Sequence, residues 1–182
     1  MTPGGDDTEL VRRARLGDRD AFAVLVERHG AAMYRYARRM LHDDGAAEDC
    51  VQEALVSAWL SADRYRGEAA VRTWLFGILI NTVRRRVRTD ARHPAAPLPE
   101  DAALPAAAGD PISDLEAADL RDALEIALAD LPPVQRACWM LVEVERMPYA
   151  DVARVQATTV DAVRGAVHRA RTTLGRRLAP WR

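Results

Sequence analysis

The segment from Val163 to Arg182 carries Arg164, Arg169, Arg171, Arg176, Arg177 and Arg182 and no acidic residue. A guanidinium is permanently charged, and its forked donors match phosphate oxygens and guanine edges, so the first chemistry to consider is nucleic-acid recognition. As a helix, this stretch puts Val160, Val163, Val167, Ala170 and Leu174 on one stripe and Asp161, Arg164, Gly165, His168 and Arg171 outside it. Arg164, near the helix start, is positioned to donate two bonds to a guanine edge, worth ~1–3 kcal/mol of discrimination. Arg169, Arg171 and Arg176 are better suited to phosphates, which fix position without reading sequence. The plainer alternative is a solvated basic face helped by the helix dipole.

A second stretch, YRGEAAVRTWLFGILINTVRRRVR from Tyr65 to Arg88, joins aromatic and basic residues in another way. Tyr65, Arg66 and Gly67 form a loop ahead of a helix that carries Trp74, Asn81, Arg84, Arg85 and Arg88. Bases taken out of the stack pack on flat side chains beside a basic groove, so this pattern suits single-stranded nucleic acid, with Asn81 able to bond a base edge. Trp74 taken alone reads first as a core residue.

The third stretch is AEDCVQEALVSAW, Ala47 to Trp59. Helical spacing aligns Val51, Ala54, Leu55, Ala58 and Trp59 as a core stripe and leaves Asp49, Gln52 and Glu53 on a polar stripe beside it. His42, Asp43, Asp44, Glu48 and Asp49 include the ligand types of a divalent-metal site. Acids in a first helical turn are also favoured by capping and by the dipole, and no second acidic cluster completes a site. No Ser/His/Asp or Cys/His set and no glycine-rich phosphate loop can be assembled, so no catalytic residue, metal or cofactor is expected. Cys50 and Cys138 lack metal-ligand spacing and read as small buried hydrophobes.

These residues must be held by helices. The 182 residues are 49% hydrophobic and 29% charged, a globular composition with a formal net charge of −1 that hides local basic patches. All 26 basic residues are arginine. Pro94, Pro97, Pro99, Pro105 and Pro111 interrupt the chain, and the residues around them cannot sustain a helix or a central strand. The expected organisation is all-α: a helical domain over 7–90, a Pro/Ala-rich linker over 91–112, and a second helical domain over 113–182. In the first, Leu10, Val11 and Ala14 start a short helix ended by Gly17. Asp18 or Asp20 caps the next, which Gly30 bends or divides, and Trp74, Leu75, Ile78 and Leu79 face inward further on. In the second, Ser113 and Glu116 form a capping box ahead of a core stripe of Leu120, Leu124 and Leu128. Helices then follow over Val134 to Glu145, Tyr149 to Val155 and Thr159 to Leu178. A short helix, a tight turn and a longer basic helix is the helix-turn-helix pattern. No apolar run long enough to span a bilayer occurs, nor does the N-terminal pattern of a secretory signal, so a cytoplasmic protein without membrane insertion is expected.

Taken in order, AEDCVQEALVSAW, YRGEAAVRTWLFGILIN, the proline-rich linker, LPPVQRACWMLVEVERMPYADVA and VRGAVHRAR closely resemble the extracytoplasmic-function (ECF) subfamily of bacterial RNA polymerase sigma factors. The resemblance spans both domains. It implies that the first domain is region 2, which docks on core RNA polymerase through Asp49, Gln52 and Glu53. It implies that the Tyr65–Ala69 loop receives a flipped base of the −10 element, with Trp74, Asn81, Arg84, Arg85 and Arg88 along the DNA. Region 4 would then read the −35 element through Arg164, His168, Arg169 and Arg171. Core RNA polymerase, promoter DNA and an anti-sigma factor are the implied partners, and no C-terminal regulatory domain is expected after Arg177. Asp161-Ala162 stands where relatives often have Gly-Thr, Gly165-Ala166 replaces a common Ser-Arg, and Arg85 replaces an acid. A capping box of Thr158 and Asp161 compensates the first change. Two rivals are a stand-alone helix-turn-helix regulator, which would bind duplex DNA without polymerase, and a metal-dependent enzyme.

Overall fold

Side-chain caps set where three of the helices begin. Asp18 accepts from the Ala21 amide at 3.0 Å, Asp43 from Ala46 at 2.6 Å and Thr159 from Ala162 at 3.1 Å, each contact worth ~0.5–2 kcal/mol. They open α2 (Arg19–Leu41), α3 (Asp44–Leu60) and α8 (Val160–Arg177). The structure, a computed structural model, describes residues 6–92 and 111–179, with side chains from residue 119 onward in the second stretch. Most of the expected linker, and Arg182 of the basic cluster, therefore lie outside the described residues.

The first lobe comprises α1 (Asp7–Ala14), α2, α3 and α4 (Val71–Arg92). Gly17 ends the α1 turn at φ +88°, a conformation that disfavours a side chain. Gly30 does not divide α2, which runs unbroken because glycine is tolerated where flanking residues pack. Leu25, Met33, Tyr36, Leu75, Phe76 and Leu79 are fully buried. Tyr36 and Phe76 meet edge-to-face at 5.9 Å.

The second lobe contains α5 (Pro111–Ala129), α6 (Pro133–Trp139), α7 (Tyr149–Gln156) and α8. The structure differs from the sequence expectations in several places. Helix α5 starts at Pro111, two residues before the expected cap, because proline's missing N–H is not needed at a first helical position. Leu120 is 41% exposed rather than core, since burial rises only toward the C-terminal end of α5, at Leu128. The expected Val134–Glu145 helix changes after Trp139 into a π turn over Met140–Val144, closed by a Glu145 amide bond to the Met140 carbonyl at 3.0 Å. The α8 cap is Thr159, not a Thr158–Asp161 box. The Thr158 amide bonds to the Ala153 carbonyl at 2.9 Å, finishing α7, and Asp161 pairs with Arg164.

Ala157 closes the α7–α8 turn in the left-handed region, φ 53° and ψ 51°. An L side chain costs ~1–2 kcal/mol in that region. Ala157→Gly should therefore stabilise the chain by roughly 0.5–1 kcal/mol, part of the gain being lost to glycine's unfolded-state entropy. A thermal midpoint unchanged or lowered in Ala157→Gly would count against this turn.

The two lobes touch. Helix α4 packs on α7 and α2 on α6, and the buried apolar residues form one continuous cluster across both. Arg136, 6% exposed, ties them at one edge: its guanidinium donates to the carbonyls of Ala129 at 2.7 Å and Leu131 at 3.2 Å, and across to Arg39 at 3.0 Å. Arg39 in turn donates to Glu125 at 2.7 Å.

Candidate nucleic-acid interface

The loop between α3 and α4 turns at Gly67, φ +75°, and carries Tyr65 to the α4 N-terminus, where its hydroxyl donates to the Ala69 carbonyl at 2.7 Å. That bond fixes the Tyr65 ring against Trp74, with centroids 5.2 Å apart. Successive turns of α4 then present Trp74, Ile78, Asn81 and Arg84 to one side. Together with Arg64, Tyr65 and Arg66 they line a groove of about 690 Å³. Trp74 and Ile78, expected to face inward, are only half-buried, because they form the groove floor while Leu75 and Leu79 on the adjacent stripe fill the core. The groove thus combines aromatic faces, an exposed amide at Asn81 and cationic rims, the components that hold unstacked bases.

Not every expected residue joins it. Gly67 shapes the loop without lining the groove, and Arg88 is exposed further along α4. Arg85 turns toward α3 and pairs with Glu53. Arg86, on the same side, lies 3.8 Å from Asp49 and 3.0 Å from Asp90. Asp49, Gln52 and Glu53 are exposed on α3, and the stripe continues into Val56, 58% exposed, and Leu60, 74% exposed. An exposed helix face that pairs polar groups with large apolar ones fits a protein partner better than solvent.

On α8 the buried stripe is Val163, Ala166, Val167, Ala170 and Leu174, with Val160 half-buried. Arg164, His168, Arg169 and Arg171 are exposed. Arg164 donates to Asp161 at 2.8 Å, so the residue suited to a base edge is held one turn from the helix start. Arg171 donates to Glu143 at 2.6 Å, a contact that raises its already high pKa. The guanidinium of Arg169 folds back over Gly165, where a Cβ would lie 3.2 Å from Nη1.

Among the described residues no group of three or more His, Cys, Asp or Glu is placed to hold a metal. Asp43 caps α3, and Asp44 accepts from Arg38 at 2.6 Å. Cys50 and Cys138 are both buried, and burial pushes their thiols up. No helix among the described residues is long and apolar enough to cross a membrane.

Sequence reasoning missed the residues where the lobes meet. Glu145, 3% exposed, accepts from Arg35 at 3.2 Å and from Arg72 at 2.5 Å. Thr73 donates to Asp151 at 3.1 Å, and Arg84 to the Gln156 carbonyl at 3.1 Å and to its side-chain oxygen. Burial drives the Tyr36 phenol far above its ordinary pKa, with Gln156 and Arg84 nearby acting in the opposite sense. Of these, Arg84 was expected, along the DNA rather than against the second lobe, and Arg72, two positions before Trp74, was not singled out. Glu145 carried no signal, because its partners lie 73 and 110 residues away.

Family comparisons agree with this geometry. Residues 25–93 match Sigma-70 region 2, and residues 121–174 match Sigma-70, region 4. The chain is 36% identical over 173 residues to the ECF RNA polymerase sigma factor SigM of Mycobacterium tuberculosis, covering 94% of this chain and 84% of that one. It is 33% identical over 184 residues to the RNA polymerase sigma-H factor of Pseudomonas aeruginosa, covering 96% and 94%. Among solved structures, CnrH in complex with the cytosolic domain of CnrY superposes with a TM-score of 0.70 at 29% identity, over 96% of this chain and 97% of that one. The sigma factor RpoE in complex with the anti-sigma factor NepR, from Bartonella quintana, also gives 0.70, at 26% identity over 87% and 96%. With both sigma regions matched in order on a two-lobed helical fold, the chain belongs to the ECF sigma factors, the non-catalytic subunits that direct RNA polymerase to promoters.

Proposed function

We propose a division of labour for this sigma factor: the 7–90 domain docks on core polymerase and captures the melted −10 strand, 91–112 is a linker, and 113–182 reads the −35 duplex. The groove framed by Tyr65, Arg66, Trp74, Asn81 and Arg84 carries this reading, because it offers stacking surfaces and cations side by side. Free energy from docking, duplex contact and base capture offsets the cost of melting, a few kcal/mol per extruded base.

The α3 stripe of Asp49, Gln52 and Glu53 is the polymerase-docking face, supported by its exposure beside Val56 and Leu60. Arg85 and Arg88 lie outside the groove, further along α4, and meet DNA near the melted edge, and Gly67 sets the loop that receives the base. On α8, Arg164 and His168 read bases, and Arg169 and Arg171 hold phosphates. The site of action is the cytoplasm, and an anti-sigma factor is the expected inhibitor, as in the RpoE–NepR relative.

Changing Gln52 and Glu53 together to alanine should weaken core-polymerase binding roughly 10- to 150-fold, on the scale of one charged interfacial hydrogen bond, ~1.5–3 kcal/mol. Both side chains are exposed, so thermal stability should stay within about 0.5 kcal/mol. Unchanged polymerase affinity, measured by fluorescence anisotropy with labelled sigma factor, would refute the docking assignment.

A further inference from the structure

We propose that the cleft between α4 and α7 binds a free nucleoside 5′-polyphosphate, and that this ligand competes with the promoter strand for the face of Trp74. The inference rests on the groove assignment above and adds to it a small-molecule ligand that uses the same stacking surface.

The shape of the cleft suits a compact ligand. Its volume of about 690 Å³ falls within the ~300–1,000 Å³ of ligand pockets, which form preferentially where two units of a chain meet. Helix α4 and the loop before it supply one wall, and Arg154, Val155 and Ala157 supply the other. The two walls converge at Gly77, where a Cβ would lie 3.7 Å from Val155 Cγ1. A cavity walled on both sides and narrowed at one point takes a molecule with two free ends more readily than the middle of a continuous strand.

The chemistry of the walls selects a nucleotide. Tyr65 and Trp74, with ring centroids 5.2 Å apart, offer a stacking face, and Tyr65 is fixed there by its bond to the Ala69 carbonyl. A base stacks on such a face whether or not it belongs to a polymer. Asn81, exposed one side of that face, both donates and accepts, which suits the edge of a base. Glu68 is the only acid among the described residues that line the cleft, and a carboxylate is the acceptor that ribose hydroxyls meet in nucleotide sites.

The charge calls for more than one phosphate. Elsewhere on α4, Arg72, Arg85 and Arg86 pair with acids of the chain. In the cleft, Arg64 and Arg66 pair with no acid among the described residues, and Arg84 donates to neutral oxygens of Gln156. Arg154 meets one oxygen of Asp151 at 3.0 Å, while the other accepts from Thr73, so further guanidinium donors of Arg154 remain for a ligand. Trp74 and Arg84 are ten residues apart on α4, which is ~15 Å at 1.5 Å per residue. A base on the aromatic face therefore needs a phosphate chain, rather than a single phosphate, to meet Arg84 and Arg154.

The test is calorimetric titration of the full chain at low salt with magnesium-free ATP, tripolyphosphate and adenosine, alongside displacement of a fluorescein-labelled 12-nucleotide DNA single strand by ATP. ATP should bind at least tenfold more tightly than tripolyphosphate or adenosine, because each of these supplies only part of the contacts, and it should displace the strand. Tripolyphosphate binding as tightly as ATP would reduce the site to general attraction of anions and overturn the proposal. Trp74→Ala should weaken both ATP and the strand at least fivefold. Arg154→Gln, at a side chain 55% exposed and outside the proposed path of the strand on α4, should weaken ATP at least threefold and leave the strand unchanged. Wild-type ATP affinity in both variants would overturn the site. If ATP binding falls in Trp74→Ala while the strand binds that variant as well as wild type, or binds neither, the nucleotide site stands and the groove assignment and the competition are overturned.

Discussion

Replacing Arg164 by alanine should flatten the response to −35 sequence, costing ~1–3 kcal/mol on the preferred element, or roughly 5- to 150-fold, and almost nothing on mismatched ones. The side chain is 64% exposed and its contact is with Asp161, itself 88% exposed, so removing it leaves the α8 core intact and the fold unchanged. Arg171→Ala is the control. As a phosphate-holding residue it should weaken binding similarly on all sequences and lower the salt slope by about one unit. Competition binding against a set of single-base −35 variants separates the two cases. A uniform loss from Arg164→Ala on every variant would remove it from base reading. Asp161 adds a condition: it must release Arg164 on binding, so Asp161→Ala should speed or tighten duplex binding without changing which sequence is preferred.

Trp74→Ala should cost the −10 strand ~1–3 kcal/mol, the worth of one stacked base. Tyr65→Phe should cost less. It removes only the bond to the Ala69 carbonyl that anchors the ring beside Trp74 and keeps the stacking face. Promoter opening, followed by permanganate reactivity of unpaired thymines in the presence of core polymerase, should fall in that order while −35 binding is preserved. Equal opening by wild type and Trp74→Ala would mean that the groove does not hold the strand. Trp74 is half-buried against the edge of the core, beside Tyr65, rather than within it, so the truncation is expected to leave a folded chain.

Much of this was legible in the order of residues. The α8 stripe of Val163, Val167, Ala170 and Leu174 predicted both the buried side and the exposed arginines, because a helix whose two faces differ this sharply has one way to pack. Asp18 and Gly17 marked the α1–α2 boundary through local rules alone. Where expectation and structure part, long-range contacts are the cause. Leu120 keeps the helical period of Leu128 but is exposed, since periodicity says which face is apolar and not how far a neighbour extends. Thr158 and Thr159 are equally good caps by type, and the choice fell to the Thr158 amide closing α7. Trp74 read as core or as stacking surface according to what lies over it, which only the fold decides. Glu145 was invisible for the same reason: a buried acid becomes tolerable only when cations from elsewhere in the chain reach it.

The lobe contact also reframes the charge balance. The chain is close to neutral overall, yet the basic residues of α4 face acids and carbonyls of the second lobe, and Arg85 and Arg86 face acids of α3. A near-neutral protein can thus carry local clusters of arginine whose charge is offset by acids of its own chain.

The most direct measurement is transcription from genomic DNA fragments by purified core polymerase with and without this chain, with RNA 5′ ends mapped. New start sites that share two spaced upstream elements, and that vanish with the Gln52→Ala, Glu53→Ala pair, are the predicted result. No new starts from active core polymerase and folded protein, together with duplex binding undiminished by that pair, would contradict the account.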